Sequence, residues 1–278
     1  MGCFLTNSSL GRKLVMSITG CFLVLFIFFH MSMNVVAIIN GGAYNMICKF
    51  LGANWYALVA TVVLAGGVLV HFLYAFWLTL QNRKARGNVR YAKTVKEHGV
   101  SWASKNMLVL GIIVILGLVL HLVHFWSKMQ LNELLGVHEF VLPNGVEVTP
   151  VEGDKIIAYT FSKWYNVVLY LVWFAALWFH LTHGVWSMCQ TAGMANDTWY
   201  PRLKKFSNLV ATLIFAGFAV VAVWTYVANC PCLKGEESNA AQTECCSECS
   251  KDAAVEADAV TPAVAEGAAV ETVTTPAN

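Results

Sequence analysis

Five stretches of the chain run for 22 residues or more without a single Asp, Glu, Lys or Arg: 14–48, 50–82, 106–127, 164–196 and 206–233. A helix rising 1.5 Å per residue needs about 20 apolar residues to cross the hydrocarbon of a bilayer, and each run is long enough. Trimming polar and glycine-rich ends predicts helices near 14–38, 56–80, 106–127, 164–188 and 206–228. Composition agrees: only 12% of residues are charged, against about 25% in a soluble domain. The expected fold class is an all-α membrane protein with five transmembrane helices. Net charge is only +2, too small for a nucleic-acid surface, and neither a glycine-rich phosphate loop nor zinc-type cysteine spacing is present.

Lysine and arginine set the expected orientation. Twelve lie on one side: Arg12, Lys13, seven in the 81–105 connection, Arg202, Lys204 and Lys205; the other side has six, spread over longer segments. The positive-inside rule then puts residues 1–13 and the N-terminus in the cytoplasm and the C-terminus outside, as in a bacterial inner (cytoplasmic) membrane. Ile18-Thr19-Gly20-Cys21 looks like a lipoprotein cleavage box, but it begins only five positions after Lys13, too close for a signal core to intervene.

Residues 229–278 change character, with nine acidic residues from Pro231 onward, five cysteines (Cys230, Cys232, Cys245, Cys246, Cys249) and no periodicity that would bury a face. The tail reads as disordered. Between helices three and four, Pro143-Asn144-Gly145 is a turn signal flanked by short alternating stretches, which predicts a small outer hairpin.

The chemistry lies in the histidines. Of eight, six fall inside the spans: His30, His71, His121, His124, His180 and His183. An imidazole in hydrocarbon is costly without a partner, so each marks a functional hypothesis. A haem iron bound on both faces takes one imidazole from each of two facing helices, and the first four helices each carry at least one. Depth sorts them. His30 lies 17 residues past Lys13 and His121 lies 16 past Lys105, both on outward-running helices and about 25 Å from the inner charges. His71 lies 12 residues before Arg83 and His180 lies 10 before Gln190, on inward-running helices and about 15–18 Å from the inner edge. The first four helices therefore form a haem-binding four-helix bundle, with a His30/His121 pair in the outer half and a His71/His180 pair in the inner half. His124 and His183, at i+3 from His121 and His180, share their helix faces and are the second choices.

Ser17-Ile18-Thr19-Gly20, with His30 ten residues after the glycine, resembles the first helix of the dihaem cytochrome b subunit of succinate dehydrogenases and fumarate reductases, the b558 family. Gly111 precedes His121 by the same ten residues, which favours His121 over His124. His180-Leu-Thr-His-Gly184-Val185-Trp186 is similar to the family's fourth-helix pattern and favours His180, while His71-Phe72-Leu73-Tyr74-Ala75 fits the second helix. The resemblance covers residues 10–228; the long 129–163 segment and the tail depart from it. It implies a 14–228 dihaem domain with two haem b. It also implies a flavoprotein subunit and an iron-sulfur subunit at the cytoplasmic face, carrying the FAD and the clusters, with electrons passing to or from a quinone, menaquinone by family analogy. A dimer of the complex is an option. By itself the subunit would catalyse nothing at succinate or fumarate. No residue is assigned to the quinone: Asn34, Tyr44, Asn45 and Trp126 are polar groups at helix ends and equally ordinary interfacial residues.

Two rivals frame the expectation. A cytochrome b anchor of a formate dehydrogenase or hydrogenase would also pair histidines, but would not match span by span. A proton-coupled transporter would use acidic residues within the spans or paired broken helices; no Asp or Glu lies in any span.

Overall fold

The computed structural model describes residues 8–86, 102–194 and 196–229. The 229–278 tail, apart from Asn229, and most of the basic 81–105 connection lie outside the described residues. Five helices are long and apolar enough to cross a membrane. They are α1 (Ser9–Ile39), α3 (Trp55–Arg86), α4 (Met107–His121, continued by a π-helix over Leu122–Leu131), α6 (Trp164–Thr191) and α7 (Tyr200–Asn229), with two short surface helices, α2 (Gly41–Phe50) and α5 (Gly153–Phe161). The chain is a multi-pass membrane protein.

Every spanning helix except α4 equals or exceeds its expected length at both ends, and α7 begins six residues before the expected 206. The absence of charge traces the hydrocarbon, whereas the hydrogen-bond ladder continues into the polar layer, where Arg12, Lys13, Arg83, Lys84, Lys204 and Lys205 sit on helical turns. Ser8 caps α1, its hydroxyl accepting from Gly11 N at 2.9 Å. Asn40 ends α1 and starts α2. Its own N–H donates to Val36 O and its side-chain oxygen accepts from Ala43 N at 3.0 Å, so one residue turns the chain from a spanning helix to a surface helix.

Contacts among the spanning helices run from α3 to α1, α1 to α6, α6 to α4 and α4 back to α3, while α7 packs along α6 and α1. Helices α1 and α4 are thus opposite one another, as are α3 and α6. At the basic end Arg12 donates to Gln81 at 2.7 Å and ties α1 to α3. The other end is capped by α2, α5 and a two-stranded antiparallel hairpin, Phe140–Val141 with Glu147–Val148. Pro143-Asn144-Gly145 makes its turn, and Gly145 takes a φ of 80°, the left-handed conformation in which a Cβ is strained.

Burial follows the lipid logic. Leu25, Val62, Leu116, Val172 and Leu209, one from each spanning helix, are all more than half exposed, a surface that only lipid would leave stable. Without a hydrophobic force between helices, close approach does the work. Ala211, Ser207 and Ala222 are fully buried where α7 meets its neighbours; Ser207 donates to Thr182 O at 2.8 Å and Trp178 Nε1 to Thr212 at 3.0 Å, joining α6 to α7. The largest buried cluster lies toward the capped end, where Tyr44, Phe125, Phe161, Tyr170, Phe174 and Val221 meet.

Gly117 of α4 is a point of direct contact: a Cβ there would overlap the indole of Trp173 on α6, whose Nε1 donates to Val114 O at 3.0 Å. Gly117→Ala should lower stability by about 1–3 kcal/mol, the usual range for overpacking. Gly66→Ala, where nothing lies within 4 Å of the added methyl, should not. Unfolding midpoints of the two variants in detergent check this; equal midpoints would refute it.

Candidate functional site

The six intramembrane histidines are placed by four helices, and two cross-bundle pairs form. His30 of α1 faces His121 of α4 with ring centroids 5.7 Å apart at 86°, and His71 of α3 faces His180 of α6 at 6.4 Å and 62°. These join the helices that stand opposite in the ring of contacts. From the Arg12–Gln81 bond that levels α1 with α3, His71 is 10 residues away and His30 is 18. At 1.5 Å per residue the pairs differ in depth by about 12 Å.

The second-choice histidines stand elsewhere. His124 places Nδ1 3.2 Å from the Tyr170 hydroxyl and stacks on that ring at 18°. His183 meets the edge of Trp186 at 5.2 Å. His121 and His124, three residues apart, lie against Trp173 and Tyr170 of α6, which are themselves three apart, and a π-helix starts between the two histidines at Leu122. Phe125, four residues on from His121, lies against the His121 ring at 5.2 Å.

The walls of the two pairs differ. Around His30/His121 they are aromatic: Phe26 stacks on His30 at 5.5 Å and 14°, Phe218 of α7 lies 5.9 Å from it, and Trp173 tilts over His121 at 5.9 Å. Toward the capped end Asn34 donates to His30 O at 2.8 Å, its Nδ2 also lies 3.4 Å from His30 Nε2, and Tyr44 donates to Asn34 Oδ1 at 3.3 Å. Asn45 and Trp126 are engaged differently, with Asp154 at 2.8 Å and Gln130 at 2.8 Å. Around His71/His180 the walls are glycine. A Cβ on Gly20 would lie 3.5 Å from His71 Cε1 and one on Gly111 3.9 Å from His180 Cε1. The glycines ten residues before His30 and His121 therefore sit level with the other pair, so α1 and α4 each lend a histidine to one pair and a bare backbone to the other. Sequence spacing marked these glycines without locating them; Trp173, Tyr170 and Phe218 carried no signal beyond helical periodicity.

These residues fit a metal held between two imidazoles. Were one ion held between the two rings of a pair, with each nitrogen about 2 Å from it and each ring centre roughly 1.1 Å farther, the ring centres would stand about 6 Å apart. The separations of 5.7 and 6.4 Å bracket that value. Two imidazoles from facing helices are a donor set of the kind that can hold a haem iron; among the described residues there is no group of three or more His, Cys, Asp or Glu that could hold a metal ion. His180 Nδ1 and His183 Nδ1 are buried with no hydrogen-bond partner among the described residues, an expense of about 1–3 kcal/mol each that nothing among those residues offsets.

Comparison of the chain with protein-family models, with curated proteins and with solved structures gives no match.

Near the His30 end, burial pushes the Cys48 thiol of α2 up to about 11, and burial together with the adjacent Cys48 holds the Tyr44 phenol far above its usual range. Both groups are neutral at physiological pH, so Tyr44 remains a donor to Asn34. A thiol raised from 9.0 to about 11 has about 100-fold less thiolate near neutral pH. Peptide-resolved iodoacetamide labelling should therefore be about 100-fold slower at Cys48 than for an unburied thiol at pH 7.5, rising roughly tenfold per pH unit up to pH 10. Rapid labelling at pH 7.5 would contradict the burial.

Proposed function

We propose that this chain is the membrane-anchor cytochrome b subunit of a succinate dehydrogenase/fumarate reductase complex in a bacterial cytoplasmic membrane. Two haem b are held by His30 with His121 in the outer half and by His71 with His180 in the inner half. The observation that carries this is the double pairing: four imidazoles from four helices meet two by two, at two depths, with separations suited to axial ligation. When bound, the haems supply one-electron transfer along the bilayer normal.

The chain's own residues do the rest. Each of the four imidazoles would offer one ring-nitrogen lone pair to a metal. Phe26, Phe125, Trp173 and Phe218 close the His30/His121 site to water, and Gly20 and Gly111 leave room beside His71/His180. At the proposed cytoplasmic end Arg12, Arg83, Lys84, Arg202, Lys204 and Lys205 face the iron-sulfur subunit, which with the flavoprotein carries the clusters, the FAD and the chemistry at succinate or fumarate. At the opposite end the Tyr44–Asn34–His30 chain is the polar feature nearest a haem site, where menaquinone would exchange electrons. The acid-free spans and the pairing of histidines with one another speak against a proton-coupled transporter.

A reduced-minus-oxidised visible spectrum of the purified full-length protein should show b-type bands with two haems per chain. Single changes of His30, His71, His121 or His180 to Ala should each remove one haem, while His124→Ala and His183→Ala keep both. Folded protein without b-type bands would sink the proposal, and two haems in His180→Ala would move the ligand to His183.

A further inference from the structure

We propose that Thr19 is a positioning residue that fixes the tautomer of His71 and so sets the electron donation of that imidazole. The inference rests on the haem reading above and adds to it a functional asymmetry between the two sites.

The geometry is specific. Thr19 Oγ1 lies 2.8 Å from Val15 O, 3.2 Å from Met16 O and 3.0 Å from His71 Nδ1. The hydroxyl has one hydrogen, and bonding back to the carbonyl one turn earlier is the usual habit of a helical threonine. With its hydrogen given to Val15 O, the oxygen is left as an acceptor, so Nδ1 of His71 carries the proton and Nε2 carries the lone pair. Next in the chain, Gly20 presents only backbone to the ring, and a Cβ there would come 3.5 Å from Cε1. Thr19 and Gly20 thus form one seat on α1 for a histidine that belongs to α3.

Among the described residues, no other member of the two pairs has a side-chain partner of this kind. His180 Nδ1 is buried and unpartnered, and the polar neighbour of His30 is an amide 3.4 Å from Nε2, the other ring nitrogen. An imidazole whose N–H donates to an oxygen is a more basic ligand. A more electron-rich axial ligand favours the oxidised iron and lowers the reduction potential. The hydroxyl therefore depresses the potential of the haem at His71/His180 and leaves that at His30/His121 alone.

The test is a redox titration of the full-length dihaem protein, read by visible absorption and by the low-spin haem EPR signals, for wild type, Thr19→Val, Thr19→Ser and Thr79→Val. Thr79 makes the same back-bond, to Ala75 O at 2.9 Å, and serves as control. Thr19→Val should raise the midpoint potential of one haem and move its EPR signal, or release that haem alone; Thr19→Ser should restore wild-type behaviour, and Thr79→Val should change neither haem. Thr19→Ala replaces Thr19→Val if the latter does not accumulate. Two haems with unchanged potentials in Thr19→Val, or the same shift in Thr19→Ser, would overturn the role of the hydroxyl while leaving the haem reading intact. A wild-type protein without haem would overturn both.

Discussion

A polar imidazole inside hydrocarbon must find a partner, and the placement of four helices follows from that requirement. Helices α1 and α4 are brought opposite one another at His30 and His121, and α3 and α6 at His71 and His180. Lipid is as apolar as leucine, so side-chain hydrophobicity gives these helices little reason to prefer one another. Small residues, a few interhelical hydrogen bonds and the histidine pairs supply the preference. Arg12 to Gln81 and Trp173 to Val114 O each join two members of the ring, and each is worth only about 0.6–1.7 kcal/mol in a membrane. On the proposed reading the bound haems would be the strongest cross-links in the bundle, which makes cofactor loading and assembly one event.

The fifth spanning helix and the cap do different work. Helix α7 carries no histidine, but packs along α6 and α1 and sends Phe218 to within 5.9 Å of the His30 ring. The cap, built from α2, α5 and the hairpin, lies over the end where the His30/His121 pair sits. It contributes Tyr44 to the polar chain and Phe161 to the aromatic cluster around Tyr170. The pair nearer the cap is thereby enclosed by aromatic rings and approached by one polar chain, while the deeper pair is flanked by glycine backbone and one hydroxyl.

Much of this was legible in the sequence because the membrane simplifies the code. Freedom from charge marked five spans, although it located the hydrocarbon and not the helix ends: α3 runs on to Arg86 and α7 starts at Tyr200. Counting residues from Lys13, Lys105, Arg83 and Gln190 placed His30 with His121 and His71 with His180, since rise per residue converts directly into depth for near-perpendicular helices. Side-chain direction was less legible. The π-helical winding of Leu122–Leu131 was not expected; nothing local in that stretch announces it. Helices α2 and α5 were missed because each is short and half-apolar, and their positions are settled by tertiary contacts such as Asn45 with Asp154.

Motif residues gain a physical meaning only when the helices are assembled. Gly20 and Gly111 looked like parts of the motifs around His30 and His121, ten residues away on the same helices. Ten residues is about 15 Å, which exceeds the reach of a neighbouring side chain and comes close to the spacing between the pairs. Each glycine therefore stands beside the pair to which its own helix gives no histidine, and Thr19 beside Gly20 extends the same logic from shape to hydrogen bonding. The two sites are then coupled through α1, which carries a histidine of one pair and the seat for the other: a shift of that helix along its axis would move His30 away from His121 and, at the same time, withdraw Thr19 from His71. Rigid anchoring of α1 is accordingly a condition for both sites, and the Ser8 and Asn40 caps at its ends together with the Arg12–Gln81 bond are where the sequence provides it.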